Sequence, residues 1–193
     1  MKLSERFEQA LVYANTKHEC QVRKGTEVPY IAHLLGVANI AITFGADEDE
    51  AIAALLHDVI EDQGVTKEAL RSRFGDRVAE IVEGCSDTDE VPKPPWRERK
   101  EAYIAHIRKA SPSVRLVSAA DKLDNARAIL ADYRTLGENL WSRFNGGRGG
   151  TLWYYRSLAK VFLEFGSTPL VAELSSVVTE IEQLAAITRE HQE

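Results

Sequence analysis

The run Leu55-Leu56-His57-Asp58-Val59-Ile60-Glu61-Asp62 sets an imidazole and a carboxylate at the end of an apolar stretch, then adds two carboxylates one helical turn later. His57 and Asp58 are donor types of a divalent transition-metal site. Residues four apart share a helix face, so one continuous helix would carry Glu61 beside His57 and Asp62 beside Asp58. That helix would offer one cleft both metal ligands and an acid/base pair. Metal-assisted hydrolysis needs this combination: an ion to polarise water and a phosphoryl oxygen, and a carboxylate to move a proton.

Further donors come from separate places. His33 follows Pro29-Tyr30-Ile31-Ala32 at the start of an expected helix, and Asp121 lies inside the apolar stretch Ala119-Ala120-Asp121-Lys122-Leu123-Asp124-Asn125. Two imidazoles and two carboxylates could bind one divalent ion and leave positions open for water and substrate. The nitrogen/oxygen set suits manganese and also iron, nickel or zinc, whereas a pure calcium site would use oxygen alone. Each residue has a plainer reading by itself: His33 as a hydrogen-bonded structural histidine, Asp121 as the buried partner of an arginine. Asn125 is four after Asp121, so it shares that helix face. Arg23 could stack on a base and grip phosphate, or be a solvated loop charge. Tyr155 reads equally as an aromatic core residue, and Arg97, Arg99 and Lys100 as a solvated helix face. His18, His106 and His191 stand outside any motif.

The elements that must position these groups read as helices throughout. Leu3, Phe7, Ala10, Leu11 and Ala14 recur at helical spacing. A turn-rich loop runs through Arg23-Lys24-Gly25 to Pro29, and a second helix spans about Ile31 to Phe44 and stops at Gly45. Asp47 caps the next helix, through His57. Thr66 caps a short one ending near Phe74-Gly75, and Val78, Ile81 and Val82 continue the pattern. Three prolines make residues 86–96 a loop. Helices resume from Arg97 to Lys109 and from Ser111-Pro112, the segment Gly146–Gly150 reads as a flexible loop, and two helices separated near Gly166–Pro169 complete the chain. No strand alternation, repeat or interdomain linker interrupts this. The expected fold is all-α, a single domain over residues 1–193, a length that supports a substantial core.

Composition narrows the function classes. A net charge of -6 argues against a nucleic-acid scaffold with a broad basic face, but leaves room for a small basic pocket. Cys20 and Cys85 form neither a metal pattern nor a disulfide framework. The charged, amphipathic start is unlike a signal peptide, and no apolar run approaches the ~20 residues of a membrane span. The expectation is a cytoplasmic protein with no nucleic-acid or membrane partner; the sequence leaves the oligomeric state open.

Taken in order, these motifs resemble the HD-domain phosphohydrolases, and more narrowly the alarmone hydrolase domain of the Rel/Spo stringent-response enzymes and the stand-alone small alarmone hydrolases. The matching segments are Arg23-Lys24-Gly25 with Pro29-Tyr30-Ile31-Ala32-His33, Ala54 through Asp62, Phe74-Gly75 with Val78 and Ile81-Val82, and Asp121-Lys122-Leu123-Asp124-Asn125-Ala126-Arg127, together spanning residues 5–165. The resemblance implies an HD-domain helical bundle whose metal ligands are His33, His57, Asp58 and Asp121, usually holding manganese. It implies that Glu61 and Asp62 position and activate water, that Arg23 and Lys24 line the nucleotide site, and that Asn125 and Arg127 contact sugar and phosphates. Tyr155 aligns with a tyrosine at the nucleotide pocket. Gln63 stands where the family usually has threonine, Trp96 where some small hydrolases place a lysine and Ala128 where some relatives have a polar residue; the segment Gly146–Gly150 is an insertion. The implied activity is removal of the 3′-pyrophosphate of guanosine tetra- or pentaphosphate. The rival expectations are hydrolysis of the adenosine analogue or of NADPH at the same site, and a non-catalytic nucleotide-binding helical protein.

Overall fold

The computed structural model describes residues 2–87 and 92–190, with side chains through residue 186. In chain order the helices are α1 (Glu5–Lys17), α2 (Ile31–Thr43), α3 (Glu48–Leu56), α4 (Val59–Gln63), α5 (Lys67–Phe74), α6 (Asp76–Cys85), α7 (Trp96–Ile107), α8 (Pro112–Leu136), a 3-10 helix (Gly137–Arg143), α9 (Gly147–Leu163) and α10 (Pro169–Glu190). Among the described residues extended backbone pairs only in an isolated antiparallel bridge, Val22 with Pro29. The fold is therefore all-α, and no described helix is long and apolar enough to cross a membrane.

The chain forms two compact units, Met1–Pro94 with Ala110–Asp121 and Pro95–Lys109 with Lys122–Glu193. In the first, α3 is the central rod. Its residues Ala51 to Leu56 are all buried, so it is apolar around its whole circumference and is packed by α1, α2 and α6. A capping box starts it: the Asp47 side chain accepts from Glu50 N–H while the Glu50 carboxylate accepts from Asp47 N–H. Thr66 caps α5 by accepting from Ala69 N–H. Ser111 accepts from Val114 N–H, and Pro112 opens α8 where its missing N–H costs nothing.

The expectation of one helix running through His57 to Asp62 is corrected. Helix α3 stops at Leu56 and α4 starts at Val59, leaving His57 and Asp58 between them. The His57 ring donates through Nδ1–H to Ala54 O at 2.9 Å. That carbonyl is the one an unbroken helix would offer to Asp58 N–H, and a side chain inserted into the ladder breaks a helix. Asp62 N–H still bonds Asp58 O at 2.9 Å, so the one-turn relation of these two residues survives.

In the second unit α9 packs on α7, the 3-10 helix and α10. Leu158, Val161 and Phe162 of α9 and Leu174, Val178 and Ile181 of α10 are buried. The segment Gly146–Gly150 is not a loop: it leads into α9 and supplies its first turn. A Cβ on Gly146 would lie 2.6 Å from the Trp96 ring, and one on Gly150 3.1 Å from it. These glycines thus let the indole lie against the helix start. The 3-10 helix has no apolar repeat of its own to announce it. It is tied down by contacts with α8, Tyr133 Oη donating to Glu138 and Arg143 pairing with Asp132.

Candidate active site

His33 sits in the first turn of α2 and is buried with Leu34 and Val37 of the same helix. His57 and Asp58 occupy the break between α3 and α4, and Asp121 is buried on α8. These four meet in the first unit. His33 Nε2 lies 3.7 Å from Asp58 Oδ2 and 3.4 Å from Asp121 Oδ1. His57 Nε2 lies 3.1 Å from Asp58 Oδ2 and 3.7 Å from Asp121 Oδ1. Donor atoms of His33, His57 and Asp58 all fall within 4.8 Å of one another.

One atom tests whether this set suits a cation. The Nδ1–H bond to Ala54 O fixes the tautomer of neutral His57, so its Nε2 carries a lone pair. That Nε2 is buried with no hydrogen-bond partner. A buried, bare imidazole nitrogen facing two carboxylates fits a divalent ion. Without one, protons compete for the same place. Burial opposes protonation of His57, but Asp58 and Asp121 outweigh it and hold its pKa well above the ordinary histidine value. Asp58 is correspondingly held far below the usual carboxylate range: burial alone would raise it, and His57 prevails.

The Tyr30 hydroxyl donates to Asp58 Oδ2. Burial and the nearby Asp58 charge push the phenol far above its ordinary range, so it remains a donor at every working pH. Tyr30 stands three residues before His33, a spacing that brings both to one face.

Asp62 and Glu61 lie on the short α4. Asp62 has an exposed side, yet loss of hydration holds its carboxyl above the ordinary range, and Asp58 adds to this. Gln21 Nε2 donates to Asp62 Oδ2 at 2.8 Å. Glu61 pairs with Lys93, Nζ to Oε1 at 2.9 Å, and Asp87 N–H reaches its other oxygen at 3.4 Å. Residues 88–91 of this proline-rich segment lie outside the described residues, as does His191.

Arg23 and Lys24 occupy the turn closed by the Val22–Pro29 bridge, where Arg23 N–H bonds Val28 O and Gly25 takes φ 74°. Arg23 is half-buried and Lys24 exposed. The remaining expected substrate residues belong to the second unit. Asn125 is half-buried on α8, one turn beyond Asp121. Arg127 pairs with Glu173 of α10, and the half-buried Tyr155 packs its ring edge-on against Tyr154 at 5.8 Å. Sequence reasoning missed Tyr30, Gln21 and Lys93 and set His18 aside. The spacings His18/Gln21 and Tyr30/His33 could have signalled the first two; nothing local could have paired Lys93 with Glu61.

Residues 10–152 match the HD domain family. The chain belongs to that family. This HD-domain chain is 41% identical over 131 residues to the guanosine-3′,5′-bis(diphosphate) 3′-pyrophosphohydrolase of Vibrio cholerae, a stretch covering 65% of this chain and 18% of that protein. It is 43% identical over 124 residues to the guanosine-3′,5′-bis(diphosphate) 3′-pyrophosphohydrolase MESH1 of Xenopus tropicalis, covering 63% of this chain and 68% of that relative. A solved structure of a metazoan SpoT orthologue, described as hydrolysing ppGpp, is similar with a TM-score of 0.77 at 28% identity, over 93% of this chain and 97% of that one. The HD-domain chain thus spans only a small part, 18%, of the length of its long bacterial relatives.

Proposed function

We propose that this HD-domain protein is a divalent-metal-dependent (p)ppGpp 3′-pyrophosphohydrolase of the cytoplasm, with manganese as the working ion. The observation that carries the reading is the buried, unpartnered His57 Nε2 among His33, Asp58 and Asp121, next to the carboxylates of α4, in a chain so similar to pyrophosphohydrolases. His33, His57, Asp58 and Asp121 hold the ion. When bound, it supplies positive charge that polarises a phosphoryl oxygen and acidifies water.

The chain's own groups do the rest. Asp62, its carboxyl held above the ordinary range by loss of hydration, accepts the proton, because a raised carboxylate takes one readily. Glu61 orients the water, and Lys93 holds Glu61. Tyr30 keeps Asp58 in its ionised form by donating to it. In the reaction, the water oxygen bonds to the phosphorus attached at the 3′ oxygen, the P–O3′ bond breaks, one water proton passes to the carboxylate, and the ribose 3′ oxygen takes up a proton. Pyrophosphate and GDP or GTP result. Arg23 and Lys24, and by motif Asn125, Arg127 and Tyr155, hold the nucleotide through phosphate contacts and ring stacking.

The test is a panel of ppGpp, pppGpp, ppApp, NADPH and GTP incubated with the manganese-loaded protein, with products separated by anion exchange. The guanosine alarmones should give pyrophosphate and GDP or GTP. Preferential turnover of ppApp or NADPH would reassign the substrate, and no turnover of any would leave a binding protein.

A further inference from the structure

His18 is buried, with 2% of its surface exposed, and the reaction above gives it nothing to do. Its Nδ1 lies 2.7 Å from Gln21 Oε1, and Gln63 Nε2 donates to that same oxygen. At the other end of the Gln21 amide, Nε2 donates to Asp62. The polarity of this chain is forced from its far end. An ionised Asp62 only accepts, so the Gln21 atom facing it is the NH₂ and the Gln21 oxygen faces inward. Both His18 Nδ1 and the Gln63 amide must then donate to that oxygen. Reversing either amide would set oxygen against carboxylate or oxygen against oxygen. The 3.3 Å approach of Gln63 Nε2 to His18 Nδ1 is a contact between two donors sharing one acceptor.

The backbone holds the same group in place. Gln21 N–H bonds His18 O and Tyr30 N–H bonds Gln21 O, at 3.0 and 2.9 Å. The His18 ring stacks on Tyr30, with centroids 5.1 Å apart and planes 22° from parallel, and Tyr30 holds Asp58. One buried histidine thus supports both Asp58 and Asp62. The need for such support is visible at Asp62. With Gln21 and Gln63 it lines an open hollow of about 460 Å³. A carboxylate on that wall would turn into solvent unless one oxygen were held. Gln63 occupies the position where the resemblance expects threonine, so this arm of the network departs from that pattern.

We propose that Gln21, oriented by His18 and Gln63, is a positioning residue for Asp62: it grips one carboxylate oxygen and leaves the other to receive the proton. The proposal rests on the hydrolase reading above. Gln21→Leu should lower kcat for ppGpp about ten- to a hundredfold, the scale of a misplaced catalytic group, with KM and bound manganese unchanged. In an Asp62→Asn background the same substitution should cost nothing further, because its effect runs through Asp62. His18→Asn, which keeps a donor near the Nδ1 position, should retain more turnover than His18→Leu. Independent of turnover, the side-chain amide NMR signal of Gln21 should move in Asp62→Asn. An unchanged kcat in Gln21→Leu, an additive loss in the double variant, loss of metal, or an unmoved amide signal each overturn the positioning role alone. An unaltered chain that releases no pyrophosphate overturns the hydrolase reading and this proposal with it.

Discussion

Replacing Tyr30 by Phe removes one oxygen and keeps the ring on which His18 stacks. The lost contact is the hydroxyl's bond to Asp58, a metal-ligand candidate beside a buried histidine. A hydrogen bond to a charged acceptor is worth about 1.5–3 kcal/mol, and each 1.4 kcal/mol is tenfold in an equilibrium. Manganese binding should therefore weaken about ten- to a hundredfold, the range found when groups supporting a metal ligand are removed. The assay is a titration against a competing fluorescent chelator at fixed pH, with the melting temperature of both metal-free proteins measured alongside. Turnover should recover at high manganese, since Tyr30 is not assigned to the proton transfer. Unchanged affinity would show that Asp58 is held without Tyr30.

Glu61→Gln should keep bound metal and lower turnover by up to about a hundredfold, the scale of a misplaced reacting group, because Glu61 orients the water while Asp62 takes the proton; normal turnover would remove Glu61 from the site. Metal binding should release close to one proton near neutral pH, because His57 is held protonated in the metal-free fold. Calorimetry in buffers of different ionisation enthalpy reads this, and apparent affinity should rise about tenfold per pH unit until the raised pKa is passed. The sign for stability is opposite. The imidazolium–Asp58 pair contributes fully below the unfolded histidine value of about 6.5 and is lost as pH rises through the raised folded value, so with a chelator present the melting temperature should fall across that window. Gly146→Ala should destabilise by about 1–3 kcal/mol through overpacking against Trp96, and Trp96→Leu in the same chain should relieve it, as thermal melts will report.

Spacing carried much of the fold. The caps at Asp47, Thr66 and Ser111 and the stop at Gly45 stand where turn chemistry puts them, because those signals are local. The break at His57 was hidden: helical spacing continues through it, and the interruption comes from a ring bonding Ala54 O. The Gly146–Gly150 helix start was hidden too, since flexibility is the default reading of glycines until Trp96 is seen against them. The convergence of His33, His57, Asp58 and Asp121 followed from family motifs rather than from separation in the chain. The supports of that site were not legible. Lys93 meets Glu61 from 32 residues away, and Gln21 meets Asp62 from 41, through contacts that only the folded chain creates.

Hydrolysis of ppGpp in heavy-oxygen-labelled water reveals which phosphorus the water attacks. Attack at the 3′ diphosphate yields GDP and intact pyrophosphate, with the label in pyrophosphate and none in GDP, while GTP, lacking a 3′ phosphate, is left unreacted. Label in the nucleotide, or rapid orthophosphate release from GTP, would contradict it.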